Sequence, residues 1–496
     1  MSLVSFEFAI FFTVVALIYF RLPHRYRWGF LLLTGYVFYA SWNIIYVPLL
    51  MFTTAYFYLI GQRITTAPTP AVKRNWLILG VALSLVILFF FQYFEFFSGR
   101  SINLPVPIGI SFYTFTGIAY LVDRFRGMYP PVQETVGVAD GDDEVKTTPA
   151  LAPWQGFSLF MAFFPTLTSG PIERAGRVIP QFSQEVTFDE PRSVAALRLI
   201  LWGIFKKLVI ADRLAIYVNA VYDQPQGQHG VVLMIATLFY AFQLYADFSA
   251  YSDVAVGVAK LLGIDIIMNF KQPYYAMSVR DFWNRWHISL STWIRDYMFM
   301  PLSRNLLRRS KGKYPRWIQG FSNLITMILV GLWHGPSWTF VVWGTLHGLY
   351  MSVESVLGWR VAIPKATSPQ QRVIKYSRMV LTFVLIVIAW IFFRANTMDN
   401  AIYVLTHLFD FSAGAVDVTK PFAVGVLGAQ KEFFVSLGLI AFLMVADWID
   451  QNRGLLTRLA QQRGMIRWAF YYALGFGILI SLVYGASTQE FIYMRF

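Results

Sequence analysis

The stretch from Trp317 to Val353 reads WIQGFSNLITMILVGLWHGPSWTFVVWGTLHGLYMSV and contains no aspartate, glutamate, lysine or arginine. A membrane-spanning helix needs about 20 apolar residues, so this stretch is long enough to cross a bilayer twice. In its middle, Gly335-Pro336 removes a backbone donor and disfavours a helix just after His334. The sequence therefore predicts two membrane helices with a break beside that histidine.

The rest of the chain has similar stretches, and 57% hydrophobic and 14% charged residues over 496 positions are typical of a lipid-embedded protein. Five other stretches lack these charged residues over at least twenty positions: Trp28–Gln62, Asn75–Phe94, Ser101–Val122, Thr147–Ile172 and Trp468–Gln489. Shorter apolar runs are Phe8–Phe20, Val231–Ala246, Val380–Phe393 and Phe433–Ala446. Together they predict one all-α polytopic membrane domain, residues 1–496, with about ten to twelve membrane-spanning or re-entrant helices.

The net charge of +14 could indicate a nucleic-acid partner, but the basic residues lie between apolar stretches, where they set membrane orientation. We therefore expect no nucleic acid. Arginines follow the first apolar run and precede the last one, at Arg21, Arg25, Arg27, Arg453, Arg458, Arg463 and Arg467. Because basic loops stay in the cytoplasm, both termini are predicted to lie outside.

Two polar segments interrupt the apolar pattern. Residues 128–153 are predicted to form an acidic flexible cytoplasmic loop, whose acidic side chains include Asp140, Asp142, Asp143 and Glu144. Residues 265–316 carry ten Lys or Arg against three Asp, which is typical of a basic amphipathic or re-entrant segment. This charge suits an anionic cytoplasmic ligand, and orientation alone explains it equally well.

Several classes of chemistry lack their residues. The chain has no cysteine, which excludes disulfides, thiolate metal sites and a thioester acyl-enzyme. The local patterns for ATP hydrolysis, zinc proteolysis, serine hydrolysis and dinucleotide binding are absent as well. We expect no metal and no tightly bound cofactor, and chemistry centred on histidine.

His334 is the first candidate. Ionisable side chains inside membrane helices are costly and usually line a pathway or a reaction site. Histidine exchanges protons near neutral pH, and the adjacent helix break would open a pocket around it. His347, thirteen residues further on, is expected on the following span as a hydrogen-bonded packing residue.

The segment RDFWNRWHISLSTWIRDY at Arg280–Tyr297 contains the second candidate. Its periodicity predicts one amphipathic helix with His287 on an aromatic face and Asp281, Arg285, Ser289, Thr292 and Asp296 on the opposite face. An interfacial helix anchored by tryptophan and arginine is the simplest interpretation. His287 does not fit it, because an imidazole on an apolar face needs a polar partner or a wet cavity.

The segment QLYADFSAYSDVAVG at Gln243–Gly257 places polar groups within an apolar run. Asp247 and Tyr251 lie one helical turn apart on the same face, whereas Asp253 is rotated away. These groups either fix helix packing by buried hydrogen bonds or supply a carboxylate that orients a catalytic histidine or contacts substrate. The residues alone leave both interpretations open.

Six segments together resemble the membrane-bound O-acyltransferase (MBOAT) family, specifically its bacterial branch with alginate O-acetylase and the D-alanyl transfer protein of teichoic acids. They are PIGISFYTFTGIAYLVDRFRG at Pro107–Gly127, FFPTLTSGPIERAGRVIPQF at Phe163–Phe182, QLYADFSAYSDVAVGVAKLLGI at Gln243–Ile264, NFKQPYYAMSVRDFWNRWHISLSTWIRDYMF at Asn269–Phe299, GLWHGPSWTFVVWGTLHG at Gly331–Gly348, and EFIYMRF at Glu490–Phe496. The joint occurrence of RWHISLSTWIRDY and GLWHG is highly specific. The alanine in YADFSAYSD stands where the family is expected to have glycine.

The resemblance implies helices around a central tunnel, with the family's catalytic histidine at His334 and its second motif histidine at His287. It implies a bacterial inner membrane, acetyl-CoA or an acyl carrier as cytoplasmic donor, and an extracytoplasmic polysaccharide acceptor. A secreted or periplasmic acyltransferase and a polymer synthase complex are the implied partners. Candidate residues for binding substrate or donor are Asn284, Arg285, Trp286, Trp333, Asp247, Tyr251, Arg295 and Asp296.

A neutral His334 would take the proton of an attacking hydroxyl as it closes on the acyl carbonyl, which is general-base catalysis. His287, Asn284 or the indole N–H of Trp333 could stabilise the developing oxyanion. Three other functions compete with transfer of an acetyl group. They are D-alanyl transfer to teichoic acid from a carrier protein, transport of a polysaccharide or lipid precursor through a histidine proton relay, and a non-catalytic scaffold for a secreted acyltransferase.

Overall fold

The uncharged stretches fold as helices. The computed structural model describes residues 1–99, 104–128, 135–138, 146–149, 151–359, 368–412, 416–422 and 428–484. By its internal contacts the chain divides into two compact units, Met1–Ile200 with Tyr251–Met268 and Leu201–Ala250 with Asn269–Phe496. The interpretation of residues 1–496 as one domain stays a prediction. The acidic residues 140–144 and the terminal motif 490–496 lie outside the described residues.

The first unit is built from short and long helices. They are α1 (Phe6–Arg21), α2 (His24–Asn43), α3 (Val47–Thr66), α4 (Pro70–Gln92), α5 (Phe94–Ser98), α6 (Ile110–Arg126), α7 (Pro153–Ala162), α8 (Phe164–Leu167), α9 (Ala175–Phe182) and most of α10 (Glu190–Phe205). Aromatic rings fill the space between them, as where Tyr120 lies 4.2 Å from Phe157. Helices α3, α4 and α6 pack together, and α7 packs on α2.

Part of the predicted acidic loop forms a small hairpin. Strand β1 (Thr135–Val138) pairs antiparallel with β2 (Lys146–Pro149), with Thr135 opposite Pro149. The sequence predicts a flexible loop here because acidic and small residues dominate it. Valine and threonine, which favour strands, supply both arms of the hairpin instead.

The second unit contains the predicted histidine motifs. Its helices are α11 (Asp212–Tyr222), α12 (Gly230–Leu261, which begins in this unit), α13 (Val279–Trp283), α14 (Ile288–Ile294), α15 (Met300–Arg309), α16 (Pro315–His334), α17 (Trp338–Val356), α18 (Pro369–Arg394), α19 (Met398–His407), α20 (Ala429–Arg453), α21 (Leu455–Ala460) and α22 (Gly464–Tyr484). Wider π-helical turns lie at Lys206–Ala211 and Arg295–Phe299. Short 3₁₀ turns lie at Ile44–Tyr46 in the first unit and at Pro273–Tyr275 and Lys420–Phe422 in the second.

Helices α16 and α17 of the second unit pack closely against each other. A Cβ atom at Gly331 would collide with the Phe340 carbonyl oxygen, and one at Gly344 with the Met327 carbonyl oxygen. Only glycine allows the two backbones to approach this closely. Helix α18 packs on α17. The two helices and the break between them are as the sequence predicts, whereas their crossing of the membrane stays a prediction.

Within the described residues, six helical segments are long and apolar enough to cross a membrane. They are His24–Thr66, Pro70–Gln92, Gly230–Leu261, Pro369–Arg394, Ala429–Gln451 and Gly464–Val483. The first has 43 residues and contains both α2 and α3, which is enough for two crossings. The predicted all-α multi-pass membrane protein is thereby confirmed. The total of ten to twelve spanning or re-entrant helices and the central tunnel stay predictions.

Candidate active site

His334 is the last residue of α16, and the helix break predicted beside it is present. The Gly335 N–H donates to the Leu332 carbonyl oxygen at 3.3 Å, and Pro336 has no N–H with which to continue the helix. Ser337 then caps α17 by accepting the Thr339 N–H at 3.3 Å. His334 is only 3% exposed, so its imidazole points into packed protein.

Aromatic rings from three helices surround this imidazole. Its centroid lies 4.6 Å from the ring of Trp333, its neighbour in α16. Trp343 of α17 lies 4.9 Å away at 90°, and Phe393 at the end of α18 lies 5.1 Å away. The position of His334 is therefore set by α16, α17 and α18 together.

His287 also lies at a helix break, but the sequence does not predict this one. The continuous helix expected over Arg280–Tyr297 is wrong, because α13 ends at Trp283 and α14 begins at Ile288. Between them His287 has a φ of 42°, a left-handed conformation that is uncommon for residues other than glycine. The break changes which side chains face the interior, so that Asp281 and Ser289, expected on the polar face, are buried.

Asn269 holds the backbone that follows His287. Its carbonyl oxygen accepts the Ile288 N–H at 2.9 Å, and its side-chain Oδ1 accepts the Ser289 N–H at 3.1 Å. These are the first N–H groups of α14, which have no acceptor within their own helix. The buried Asn269 therefore offsets the cost of the left-handed turn. No sequence pattern identified Asn269, because its partners are distant along the chain.

The surroundings of His287 connect it to the first histidine. His287 is fully buried, and the ring of Phe248 in α12 lies edge-on to it at 4.6 Å and 79°. A continuous chain of ring contacts, through Phe248, Trp286, Trp390 and Phe393, joins the imidazoles of His287 and His334. The structure thus brings the two motif histidines into one neighbourhood of the second unit.

His347 of α17 is buried and hydrogen-bonded, as the sequence predicts. The indole N–H of Trp283 donates to its Nδ1 at 3.3 Å, so the proton of the neutral ring is on Nε2. The ring of Trp343 lies 5.0 Å from His347 and also contacts His334. The three histidines therefore share one aromatic environment.

Helix α13 is tied to α17 at both ends. At its N-terminus, the Glu354 carboxylate accepts the N–H groups of Val279 and Arg280 at 2.6 and 3.1 Å. At its C-terminus, Trp283 makes the bond to His347. The Arg280 guanidinium also donates to the Ser355 hydroxyl at 2.6 Å.

A cavity of about 390 Å³ lies against α13 and α14. Asn284 and Arg295, two of the predicted binding residues, line it together with Arg280, Trp283 and Asn323. A mostly apolar wall with a few polar groups and this volume is typical of small-molecule sites. Because Trp283 both lines the cavity and contacts His347, the cavity adjoins the histidine cluster.

Two predicted residues make packing contacts. The Asp247 carboxylate forms an ion pair with Lys207 at 2.8 Å in the second unit. The Tyr251 hydroxyl, in the first unit, accepts the Leu3 N–H at 3.5 Å. The partner Lys207 was not identified from the sequence, and the choice between a packing and a functional role for Asp247 stays open.

The remaining candidates lie around α13 and α14. Arg285 pairs with Asp281 at 2.9 Å, and Arg295 pairs with Asp296 at 2.9 Å. Trp286 is buried in the aromatic cluster, 5.2 Å from Trp390. In the part of the chain that the structure describes, no three histidine or carboxylate side chains are grouped to hold a metal ion.

Known proteins are similar to this chain over most of its length. A model of the membrane-bound O-acyltransferase family matches residues 148–395. The peptidoglycan O-acetyltransferase of Helicobacter pylori is 34% identical over 76% of this chain and 72% of its own length. A probable alginate O-acetylase of Pseudomonas aeruginosa is 35% identical over 86% of this chain and 77% of its own length.

A teichoic acid D-alanyltransferase of Bacillus subtilis is more distant, at 29% identity over 50% of this chain and 59% of its own length. The residues matched by the family model, 148–395, include both histidine motifs and helices α12 to α18. This chain belongs to the membrane-bound O-acyltransferase family and is an O-acyltransferase.

Proposed function

We propose that this enzyme moves an acetyl group from a cytoplasmic donor to hydroxyl groups of an exported polysaccharide, with His334 as the general base. The supporting observation is the buried pair of His334, at a helix end, and His287, in a left-handed turn, which one chain of aromatic ring contacts connects. Two imidazoles held in this way can divide proton transfer and oxyanion stabilisation between them.

In the proposed reaction the acceptor oxygen attacks the thioester carbonyl while its proton passes to His334. The new C–O bond forms, the C–S bond breaks, and His334 returns the proton to the departing sulfur. A general base of this kind contributes about 10²–10⁴-fold to the rate. His287, Asn284 or Trp333 supplies a hydrogen bond to the oxyanion, and Asn284 lines the neighbouring cavity.

The cavity supports acetyl-CoA or an acylated carrier as donor. Arg280 and Arg295 lie in its wall, and guanidinium groups bind phosphates in a bidentate manner. Both donors present their acyl group on a phosphate-bearing arm that ends in a thioester. The apolar side chains of Trp283 and Met327 suit the thin apolar part of that arm.

The relatives support an acetyl group and a polysaccharide acceptor over D-alanine and teichoic acid. The two relatives named O-acetyltransferase or O-acetylase match 76% and 86% of this chain, whereas the D-alanyltransferase matches 50%. We place the enzyme in the bacterial inner membrane with both termini outside, in a complex with a secreted acyltransferase and a polymer synthase. The arginines around the first and last apolar runs support that orientation.

The test uses the full chain in lipid nanodiscs with labelled acetyl-CoA and polysaccharide oligomers as acceptor. His334→Ala should lower acetyl transfer by about 10²–10⁴-fold, because the proton has no acceptor in the transition state. His407→Ala is the matched control and should retain activity, since that ring stacks on Tyr403 in α19, 4.0 Å away. Equal transfer by wild type and His334→Ala would contradict the assignment.

The same preparation separates the competing functions. Transfer from a D-alanyl carrier protein but not from acetyl-CoA would select D-alanylation. If His334→Ala cells lose polymer export and keep acetylation, the protein is a transporter. No transfer by the purified chain until a secreted acyltransferase is added would identify a relay, and labelling of that partner would locate the acyl group.

A further inference from the structure

A buried charge cluster lies where α10 continues into α11. Lys207 belongs to the π-helical turn Lys206–Ala211, and its Nζ lies 2.8 Å from an Asp247 oxygen and 2.9 Å from an Asp212 oxygen. Lys207 is 3% exposed and Asp247 is 2% exposed. π-Helical turns occur often at functional sites, and buried charges are retained only when they are paired. The proposed acyl transfer uses neither group.

The preceding lysine makes a second contact with the same helix. Lys206 Nζ donates to the Ser249 hydroxyl at 2.7 Å, and both side chains are buried. Two consecutive lysines therefore hold Asp247 and Ser249, the two residues that flank Phe248. Side chains two positions apart in an α-helix point about 200° away from each other. Contacts on both of these sides oppose rotation of α12 about its own axis.

Phe248 is the residue whose direction this arrangement determines. Its ring lies edge-on against the His287 imidazole at 4.6 Å and also packs on Phe270 at 5.0 Å. Phe270 follows Asn269, the residue that holds the backbone after His287. A rotation of α12 would therefore displace the ring on which the His287 imidazole rests.

We infer that Lys207, assisted by Lys206, is a positioning residue for acyl transfer. Its ion pair with Asp247 opposes rotation of α12, so that the Phe248 ring stays packed against His287 and supports its left-handed turn. This rests on the proposed function in so far as His287 acts with His334. Lys207 touches neither donor nor acceptor, and its effect passes through Asp247 and Phe248.

Loss of the contact between Lys207 and Asp247 should lower the rate of the chemical step. A displacement of about 1 Å in a reacting group lowers a rate by about 10²-fold, while donor binding in the cavity is unaffected. Lys207→Met should therefore lower kcat by about 10–100-fold and leave KM for acetyl-CoA within about twofold. Lys207→Arg, which keeps both ion pairs, should restore most of kcat.

The matched control is Arg213→Met. Arg213, the residue after Asp212, forms another buried ion pair in this unit, with Glu432 of α20. Its loss also takes the arginine from a buried carboxylate, but that carboxylate lies on α20 and not on α12, the helix that carries Phe248. Should Lys207→Met fail to fold, Asp247→Asn keeps the shape and removes the charge, and the same kcat loss is expected.

A second readout does not depend on activity. Diethyl pyrocarbonate labels accessible imidazoles, and mass spectrometry of the nanodisc-bound protein reports labelling at His287. His287 is fully buried in the wild type, so labelling should be slow and should rise about tenfold or more in Lys207→Met and Asp247→Asn but not in Arg213→Met.

Labelling and kcat in Lys207→Met that match Arg213→Met would overturn the inference and leave the cluster a general stabiliser. A kcat loss without increased labelling of His287 would overturn it too. If the wild type transfers no acetyl group, the proposed function fails, while the labelling result still decides whether Lys207 positions His287.

Discussion

The regions around His334 and His287 present the same side chain in similarly buried, aromatic surroundings, yet they are built differently. His334 ends a helix because Gly335 and Pro336 follow it directly. His287 interrupts a pattern that favours a continuous helix, and its turn depends on Asn269, which is distant along the chain. One position is thus set by local backbone chemistry and the other by tertiary contacts.

This difference predicts unequal sensitivity to substitution. The helix break after His334 should persist when one of the residues that cause it is replaced, because the neighbouring residues also favour an end to the helix. A left-handed turn that depends on hydrogen bonds to one residue outside its own segment is more vulnerable, and strained conformations of this kind cost about 1–3 kcal/mol.

The largest effect should come from Asn269→Ala. It removes the acceptor of the buried Ser289 N–H and should lower the free energy of unfolding by about 1–3 kcal/mol. Because His287 then loses its backbone position, kcat should fall by about 10–100-fold. Kinetics in nanodiscs and denaturant titration in detergent measure the two quantities.

Pro336→Ala is the comparison for that experiment. Gly335 and the Ser337 cap remain, so kcat should change by less than about threefold and stability by less than about 1 kcal/mol. If Pro336→Ala costs as much activity as Asn269→Ala, the distinction between local and tertiary positioning is wrong. Asn269→Asp, which keeps the acceptor oxygen, should be milder than Asn269→Ala.

A smaller effect is expected from a substitution that disturbs the tertiary packing of the helix that carries His334. Gly331→Ala places a methyl group against the Phe340 carbonyl oxygen and should destabilise the protein by about 1–3 kcal/mol. Gly320→Ala on the same helix is the control, because its added Cβ would lie 3.4 Å from the nearest atom, at ordinary contact distance. Thermal unfolding of both variants with equal midpoints would refute the close approach of α16 and α17.

The smallest effect should follow Trp283→Phe. Phenylalanine keeps an aromatic ring in the cluster and removes the N–H that donates to His347. One hydrogen bond contributes about 0.5–1.5 kcal/mol, so a modest loss of stability and a kcat loss below about tenfold are expected. A loss as large as that of His334→Ala would instead place His347 in the chemistry.

The local part of the structure was predictable from the sequence. Three charge-free stretches and three of the shorter apolar runs indicated the six membrane-length segments, and Gly335-Pro336 indicated the break beside His334. Those signals lie in consecutive residues and depend on backbone chemistry and apolar length. The hydrogen bond to His347 follows for a similar reason, since a buried imidazole needs a polar partner.

The nonlocal part was not predictable. Periodicity alone favoured one helix over Arg280–Tyr297, because the apolar spacing there does not reveal that Asn269 supplies the caps of α14. Nor does the sequence show that Asp247 pairs with Lys207, since ion pairing between separate helices leaves no spacing rule along the chain. The hairpin of β1 and β2 was not predicted, because the acidic residues of the segment favour a flexible loop and were given more weight than its valines and threonines.

The double attachment of α13 to α17 has a consequence for inhibitor design. Glu354 holds one end of α13 and His347 the other, so this wall of the cavity is braced before any ligand arrives. A pocket that keeps its shape when empty spares a ligand the entropic cost of ordering it. Compounds fitted to the 390 Å³ cavity beside Trp283 would therefore bind a pocket that already has its final shape. Resistance through a change in the shape of this wall would require the attachments at both ends of α13 to break.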